Sequence, residues 1–374
     1  MTQETETRGV PLSSPYIGER EEELVLEVLR SGRLSLGPTI DRFEELFAAA
    51  TGAPYAAAVS SGTAGLHLLC VSAGLGAGDE VITSPYSFAA SANCFVYEGG
   101  IPVFADVDRR TLNLDPAAVE AAVTERTKAI VAVDIYGYPC ELDELRAIAD
   151  RHGLALIEDS CEALGADYRG ATIGSHGSPC VFAFYPNKQI TTGEGGIVTT
   201  HSEQEWHLIR SLRNQGRPEP GGWLEHVRLG FNYRLSDIAA ALGIGQLERL
   251  DEILALRSEG ASRYAALLRG VEGLELPCAD DAAHRRSWFV YVVLFPDTAA
   301  RERATAAFER EGIGFNRYLP SIHLQPYMRE RFGFREGLCP VSEDVSSRSL
   351  ALPFFTGIDP AAQERVAEVL ASAV

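Results

Sequence analysis

One amine and one carboxylate in this chain are placed where they could work together on a cofactor. Lys188 and Lys128 are the two lysines among 33 basic residues, so a side-chain amine is scarce here. Lys188 lies just beyond the apolar run 181–185, and Asp159 directly follows the run 154–158. If both runs are parallel strands, both side chains lie at the carboxyl edge of the sheet, where ligands bind. There an amine can form an imine with the aldehyde of pyridoxal phosphate, while a carboxylate holds the proton on its ring nitrogen.

Each of these two side chains also has a plainer interpretation. Asp159 could cap a helix, and Lys188 could be a solvated charge in a loop, which is the common fate of a lysine. The segments on either side of Lys188, PN before it and TTGEGG shortly after it, are unusual for a plain surface loop. They favour the cofactor interpretation.

The segment SSGTA at residues 60–64 comes between a predicted strand and the predicted helix 64–73. Free N–H groups at a helix start carry partial positive charge and bind anions, so this segment predicts a phosphate cup. An ordinary strand-to-helix turn with a serine or threonine cap is the alternative. Residues 74–79 do not complete a G-x-G-x-x-G motif, and neither lysine has the glycine of a P-loop before it, which disfavours dinucleotide and P-loop sites.

Several other side chains could contact a flat or anionic ligand. Phe88 follows another predicted strand at the same edge and could stack on a ring, although core packing is the commoner role. Tyr318 and His323 are candidate substrate contacts in a proline-containing loop, where a surface role is equally ordinary. Four arginines suit a diphosphate, with solvated salt bridges as the alternative; they are Arg213, Arg217, Arg228 and Arg234.

The elements that must position these residues follow an alternating pattern. Seven apolar runs alternate with helical stretches, at residues 55–60, 80–83, 101–107, 129–136, 154–158, 181–185 and 197–200. Continuous apolar runs indicate strands buried on both faces, so the pattern predicts an α/β fold with a seven-stranded, mostly parallel sheet. After residue 246 come a charged helix (247–268), a strand (287–295), a helix near 299–311 and a helix from Pro360. We therefore expect a large domain (1–246) and a small C-terminal α+β domain (247–374), with residues 217–222 as a loop.

Composition limits the class of partner and the compartment. With a formal net charge of -19, the protein lacks the positive charge that attracts the phosphate backbone of nucleic acid. Seven scattered cysteines without a C-x-x-C pair disfavour a disulfide framework and a zinc site, so no metal is expected. The polar first ten residues are unlike a signal peptide, and no apolar stretch is long enough to span a membrane. The expectation is a cytoplasmic protein that binds neither membrane nor nucleic acid.

Seven blocks, taken in order, carry a family resemblance. They are SSGTAGLHLL, DEVITSPYSFAASAN, GGIPVFADVD, LALIEDSCEALGA, FAFYPNKQITTGEGGIVTT, GFNYRLSDIAAALG and RSLALPFF. Together they resemble the DegT/StrS-type (DegT/DnrJ/EryC/StrS) sugar aminotransferases, from about Tyr16 to the C-terminus. The resemblance implies the fold-type I architecture of aspartate aminotransferase and a homodimer with active sites at the subunit interface. It also implies pyridoxal 5'-phosphate as cofactor and amino transfer from glutamate or glutamine to a nucleotide-linked keto sugar, in polysaccharide or antibiotic biosynthesis.

The resemblance also implies a role for each matching residue. Lys188 would form the Schiff base and carry the proton, and Asp159 would hold the pyridinium proton. The remaining cofactor contacts would be Gly62, Thr63 and Ala64 on the phosphate, Phe88 on the ring, Glu162 near the ring hydroxyl, and Asn232 from the neighbouring subunit; Arg234, Tyr318 and His323 are candidate substrate contacts. Two positions depart from the common family pattern, with Ala183 in place of a serine and Glu162 in place of glutamine or histidine.

Three other functions share parts of this pattern. A dehydratase of the same fold has histidine in place of the lysine, so Lys188 disfavours it. An aminotransferase that forms cyclitols or amino-arenes would keep every cofactor residue. A non-catalytic sensor of the cofactor or of a sugar nucleotide is the alternative outside enzymes, and the lysine–aspartate pair disfavours it.

Overall fold

The computed structural model describes residues 9–218, 222 and 224–374. Residues 219–221, which are half of the segment 217–222 predicted as a loop, and the first eight residues therefore lie outside the described part. The strands are β1 (Tyr55–Val59), β2 (Glu80–Thr83), β3 (Ile101–Phe104), β4 (Thr127–Val133), β5 (Ala155–Asp159), β6 (Asp167–Tyr168), β7 (Ala171–Thr172), β8 (Cys180–Ala183), β9 (Gly196–Thr200), β10 (His284–Arg285), β11 (Tyr291–Leu294) and β12 (Ser349–Leu352).

The helices fall between these strands and after them. They are α1 (Glu19–Ser31), α2 (Pro38–Thr51), α3 (Gly62–Ser72), α4 (Ala90–Val96), α5 (Pro116–Ala122), α6 (Leu142–His152), α7 (Glu203–Arg213), α8 (Asp237–Glu248), α9 (Leu250–Leu267), α10 (Thr298–Glu311), α11 (Pro326–Phe332), α12 (Pro340–Arg348) and α13 (Pro360–Ala373). Short 3-10 turns occur at Ile135–Gly137 and Ile322–Leu324. Within the described residues no helix is both long and apolar enough to cross a membrane.

Seven strands form the central sheet, in the order β1-β9-β8-β5-β4-β2-β3. Strands β2, β3, β4, β5 and β8 pair in parallel, and β9 runs opposite to its neighbours β1 and β8. The predicted α/β fold with a seven-stranded, mostly parallel sheet is confirmed. Each of the seven sequence runs predicted as strands of this sheet overlaps one of its seven strands.

Both faces of the sheet are buried, which explains why its strands are continuously apolar. In β4, Ile130 and Ala132 pack into one core with α2, α6 and α8, while Ala129 and Val131 pack into a second core with α3, α4 and α7. Each of these four side chains therefore removes apolar area from water, whichever face it points to. A sheet packed on both faces gives a fixed edge, from which the loops that follow the strands can position side chains.

The C-terminal part packs separately around the antiparallel pair of β11 and β12. Helices α9, α10 and α13 cover this pair, and Val10 near the start of the chain joins the same core. The long helix predicted at 247–268 is wrong in one respect: Arg249 breaks it (φ -119°, ψ 16°), where its guanidinium meets the buried Glu21 at 3.2 Å. The predicted strand 287–295 is also shorter, at Tyr291–Leu294. The division into domains at residues 246 and 247 stays a prediction.

Candidate active site

A cavity of about 530 Å³ lies at the carboxyl edge of the central sheet. The segments that follow β1, β2, β5 and β8 supply its lining, together with Phe289 and Tyr318 from the C-terminal part. Parallel strands bring their carboxyl ends to the same edge, so residues far apart in sequence meet there. Seven of the site residues predicted from sequence line it, namely Gly62, Thr63, Phe88, Asp159, Glu162, Lys188 and Tyr318.

Lys188 reaches this cavity from the turn after β8. The N–H of Lys188 donates to the carbonyl of Tyr185 at 2.9 Å, which folds the chain back at the strand end. Its Nζ lies 3.5 Å from Oε1 of Glu162 and 3.9 Å from the ring centroid of Phe289. The side chain is 13% exposed, so the amine is nearly enclosed yet borders the cavity.

Asp159, the last residue of β5, is buried at 6% exposure and borders the same cavity. Ser91 Oγ donates to its Oδ2 at 2.6 Å, and the N–H of Cys161 donates to Oδ1 at 3.3 Å. Ser91 is positioned in turn by Ser87, at 2.7 Å between the two hydroxyl oxygens. No cationic side chain of the described chain forms an ion pair with Asp159. A buried carboxylate without a counter-charge suits a ligand that brings a protonated nitrogen.

Glu162 stands between the lysine and the backbone behind the cavity. Its Oε2 accepts the N–H of Tyr136 at 2.8 Å, while Oε1 faces Lys188. Burial raises the pKa of Glu162 above its ordinary value, and the Lys188 ammonium partly opposes that rise. Glu162 thus combines a raised pKa with a position beside the Lys188 amine.

The anion-binding segment between β1 and α3 has the predicted form. Ser61 caps α3, with its Oγ accepting the N–H of Ala64 at 3.1 Å. The N–H groups of the two residues before Ala64, at the start of the helix, remain free for a ligand. A Cβ at Gly62 would lie 2.8 Å from both Cβ of Ala183 and Sγ of Cys161, so only glycine fits. Thr63 lines the cavity, and its hydroxyl makes no hydrogen bond within the described residues. Since Ala183 has no hydroxyl to offer a bound anion, the hydroxyl of Thr63 is the natural replacement for that contact.

Two aromatic side chains shape the mouth of the cavity. Phe88 is 66% exposed, which is incompatible with the core-packing alternative and leaves its ring face open to a flat ligand. Tyr318 is more enclosed, and its Oη accepts from Nδ2 of Asn187 at 3.3 Å. Burial raises the pKa of Tyr318 to about 12, so its hydroxyl stays neutral at physiological pH and can donate.

Four predicted site residues do not line this cavity. Ala64 contributes its N–H to the cap of Ser61 instead. Asn232 forms a bridge with Asn214, and Arg234 donates to Oδ1 of Asn214 at 3.1 Å; neither residue is part of the cavity lining of its own chain. His323 is fully buried, with Nε2 2.9 Å from Oε1 of Glu343, and its position gives a substrate contact no support.

The four-arginine diphosphate hypothesis needs a correction. Arg213 is buried and its guanidinium contacts the carboxylate of Glu44 and the carbonyl of Ala58, so its charge is already used inside the fold. Burial and the nearby Arg217 lower the pKa of Arg234 below its ordinary value. The pairing of Arg213 with Glu44 therefore removes Arg213 from the set of arginines suggested for a diphosphate.

Sequence reasoning missed three residues of the site. Ser91, which holds Asp159, lies one helical turn after Phe88 inside a segment that already pointed to the site, so its position was a usable signal. Asn187 precedes Lys188, and its buried Oδ1 has no partner among the described residues. Phe289 packs on the amine from a distant part of the chain without any motif, and only the fold reveals it.

Comparisons with known proteins agree with this geometry. Residues 15–371 match the model of the DegT/DnrJ/EryC1/StrS aminotransferase family. The chain is 40% identical over 359 residues to the spore coat polysaccharide biosynthesis protein SpsC of Bacillus subtilis, covering 92% of each chain. Its fold is similar to that of S. venezuelae DesV (TM-score 0.91, 32% identity, 98% of both chains). It is also similar to the PLP-form of the putative sugar aminotransferase Spr1654 from Streptococcus pneumoniae (TM-score 0.93, 25% identity, 98% of both chains).

Proposed function

The chain belongs to the DegT/DnrJ/EryC1/StrS aminotransferase family, and we propose that it moves an amino group from glutamate or glutamine to a nucleotide-linked keto sugar, using Lys188. It is a pyridoxal-phosphate-dependent aminotransferase with the fold-type I architecture. The observation that carries the proposal is the meeting of Lys188 and the unpaired carboxylate of Asp159 in one cavity with a free helix N-terminus. The rival sensor function would not need an amine in that place.

The residues of the cavity fit the cofactor. Gly62 and Thr63 at the start of α3 would bind its phosphate, Asp159 its ring nitrogen, and Phe88 one face of its ring. Glu162 lies within reach of the Lys188 amine and would lie near the ring hydroxyl. When bound, pyridoxal phosphate supplies an aldehyde that condenses with amines and a ring that accepts electrons from the reacting carbon.

Lys188 is the residue that would bind the aldehyde of the cofactor and then move a proton. Its Nζ takes the proton from the carbon that carries the donor's amino group, and later delivers a proton to the acceptor carbon. Phe289 and Glu162 restrict the amine to a small region, since they contact it from two sides. Asp159 would keep the ring nitrogen protonated, because the carboxylate is fixed by Ser91 and shielded from water.

The sugar substrate is proposed from the relatives and from the shape of the cavity. SpsC is named for polysaccharide biosynthesis and Spr1654 as a putative sugar aminotransferase. The cavity is large enough for more than the cofactor and is bordered by Tyr318, a neutral hydroxyl donor. We expect a role in amino sugar biosynthesis for a polysaccharide or an antibiotic, in the cytoplasm.

A homodimer would explain where Asn232 and Arg234 act. Neither residue lines the cavity of its own chain, and the segment just before them exposes Leu224 (84%) and Leu229 (89%) to solvent. Exposed large apolar side chains on one segment mark an interaction surface. We propose that this segment packs on a second subunit, where Asn232 reaches the phosphate and Arg234 the substrate.

The test of amino transfer uses the cofactor-loaded enzyme and its visible absorbance. Glutamate should bleach the band, and an acceptor from a panel of keto-sugar nucleotides should restore it. Lys188→Ala should lose both responses while folding normally, and Lys128→Ala, which changes the exposed lysine of β4, should keep both. Near-normal turnover in Lys188→Ala would overturn the assignment, and turnover of only a cyclitol or arene precursor would favour that rival.

Mixed dimers test the shared site. Lys188→Ala and Asn232→Ala proteins, each impaired alone, should regain about a quarter of wild-type activity after dissociation and equal mixing, because half of the dimers carry one intact site. No recovery in dimers shown to have exchanged subunits would mean that Asn232 serves its own chain.

A further inference from the structure

A second cavity, of about 210 Å³, lies apart from the active site and shares no lining residue with it. Residues 109–112, which follow β3, form one wall, and residues 275–278, which precede β10, form another. Tyr136, Arg286 and the β11 residues Val292 and Leu294 complete the lining. Nothing in the proposed amino transfer uses this cavity.

Three guanidinium groups border this cavity, in a chain whose formal net charge is -19. They belong to Arg109, Arg110 and Arg286, and the one acidic residue in the described lining is Glu275. In the lining itself the arginines therefore outnumber the acids three to one, although carboxylates also pair with two of these arginines. Guanidinium forks bind the oxygens of phosphate and similar oxyanions with two parallel hydrogen bonds.

Arg286 is the group that most needs a ligand. It is 7% exposed, and its guanidinium is held between the rings of Tyr138 and Trp288, at 4.8 and 4.9 Å. Its terminal nitrogens meet weak acceptors, the carbonyls of Tyr136 at 3.3 Å and Cys278 at 3.4 Å and Sγ of Cys278 at 3.1 Å. Among the described residues the buried Nε has no hydrogen-bond partner. No carboxylate in the described chain lies within ion-pair distance of it. A buried cation left in this state costs free energy that a bound anion would recover.

Arg257 shows that this fold can satisfy a buried arginine without a ligand. Arg257 is 2% exposed, and its three guanidinium nitrogens donate to the carbonyls of Trp288 and Phe289 and to Oγ1 of Thr356, at 2.7 to 3.0 Å. It borders neither of the two cavities described here. Arg286 differs from Arg257 in both respects, since it has an unpaired Nε and faces an open cavity. Packing alone therefore does not account for Arg286.

The other two guanidinium groups are able to turn towards a ligand. Arg109 pairs with Asp344 and Glu275, and Arg110 pairs with Asp281 at 3.4 Å, but the arginine side chains are 47% and 54% exposed. Exposed ion pairs of this kind are weak and are exchanged at little cost. We propose that this second cavity binds a phosphate-sized oxyanion, either free phosphate or the phosphoryl group of a small metabolite, through Arg286, Arg110 and Arg109.

The test measures phosphate binding by titration calorimetry on the cofactor-loaded enzyme, in which the phosphate cup of the active site is already filled. Inorganic phosphate is added at constant ionic strength, with sodium chloride as the reference, and one saturable site per chain is expected. Arg110→Gln should weaken binding about tenfold or more, as expected for loss of a charged hydrogen bond. Arg285→Gln is the matched control, because Arg285 is an exposed neighbour of Arg286 that pairs with Asp167 outside the cavity.

A second variant covers the buried group. Arg286→Lys keeps the charge but removes the fork, so phosphate should raise the thermal unfolding temperature of the wild type and not that of the variant. Glycerol 3-phosphate in place of phosphate distinguishes the sources, since tighter binding of the ester indicates a metabolite. The proposal is overturned if no saturable site is found, or if Arg110→Gln and Arg286→Lys bind phosphate as the wild type does.

Discussion

Replacing Asp159 with asparagine isolates the charge of that residue from its shape. The asparagine keeps the size of the side chain, its Oδ1 can still accept the N–H of Cys161, and its Nδ2 can donate to Oγ of Ser91. The fold should therefore survive. What is lost is the negative charge that the protonated ring nitrogen of the cofactor would meet in a place only 6% exposed.

The magnitude follows from the kind of bond removed. A hydrogen bond to a charged group contributes about 1.5–3 kcal/mol, so Asp159→Asn should weaken cofactor binding about 10- to 150-fold. Ser91→Ala removes only the hydroxyl that fixes the carboxylate, and should weaken binding about fivefold, which corresponds to about 1 kcal/mol. Asp150→Asn, an exposed change of the same type on α6, should leave affinity unaltered.

The assay is equilibrium dialysis of the apo variants against pyridoxal phosphate, with circular dichroism to confirm that each has folded. Turnover with glutamate is measured at saturating cofactor and should also fall in Asp159→Asn, because the ring accepts electrons less readily without a protonated nitrogen. Wild-type affinity and turnover in a folded Asp159→Asn enzyme would refute the role given to this carboxylate.

Three further predictions concern the groups around the cavity and the sheet. Glu162→Gln leaves the enclosed Lys188 ammonium without its carboxylate, and should lower the apo enzyme's stability by up to about 3 kcal/mol, read from urea unfolding; an unchanged midpoint would contradict this. Burial raises the pKa of Glu158 to about 7, so folding favours its protonated form and stability should fall as pH rises from about 4.5 through 7. Glu158→Gln should remove about 2–3 kcal/mol of the stability difference between pH 5 and pH 8, and an unaltered difference would count against it. Gly62→Ala should cost about 1–3 kcal/mol and release cofactor on dialysis, whereas Gly260→Ala, whose Cβ meets nothing closer than 3.6 Å, should retain it.

Much of the fold could be predicted because the strands carry their own signal. A strand buried on both faces must be apolar throughout, and the run at 129–136 shows this without any structure. A helix start can also be predicted from sequence where its cap is local. At α5 the side chain of Asp115 accepts the N–H of Ala117, and Pro116 between them is the first residue of the helix. The break at Arg249 could not be predicted from the local sequence, because Arg249 contacts Glu21, which lies more than 200 residues earlier.

The same distinction applies to the site. Lys188, Asp159 and Gly62 were predictable because each lies at the carboxyl end of a strand or shortly after it, so the sheet itself brings them together. His323 is different: a motif placed it near the site, but its pairing with Glu343 turns the ring into the core. No sequence motif pointed to Arg286, because its proposed role rests on the hydrogen-bond partner that its Nε lacks among the described residues.

The most direct test of the central claim is the covalent link between the cofactor and Lys188. Cofactor-loaded enzyme is reduced with borohydride, digested and mapped by mass spectrometry, with an unreduced sample alongside. The pyridoxyl group should be found on the peptide that contains Lys188, and the peptide that contains Lys128 should remain unmodified. A fully reduced holoenzyme in which Lys188 is unlabelled would contradict the account.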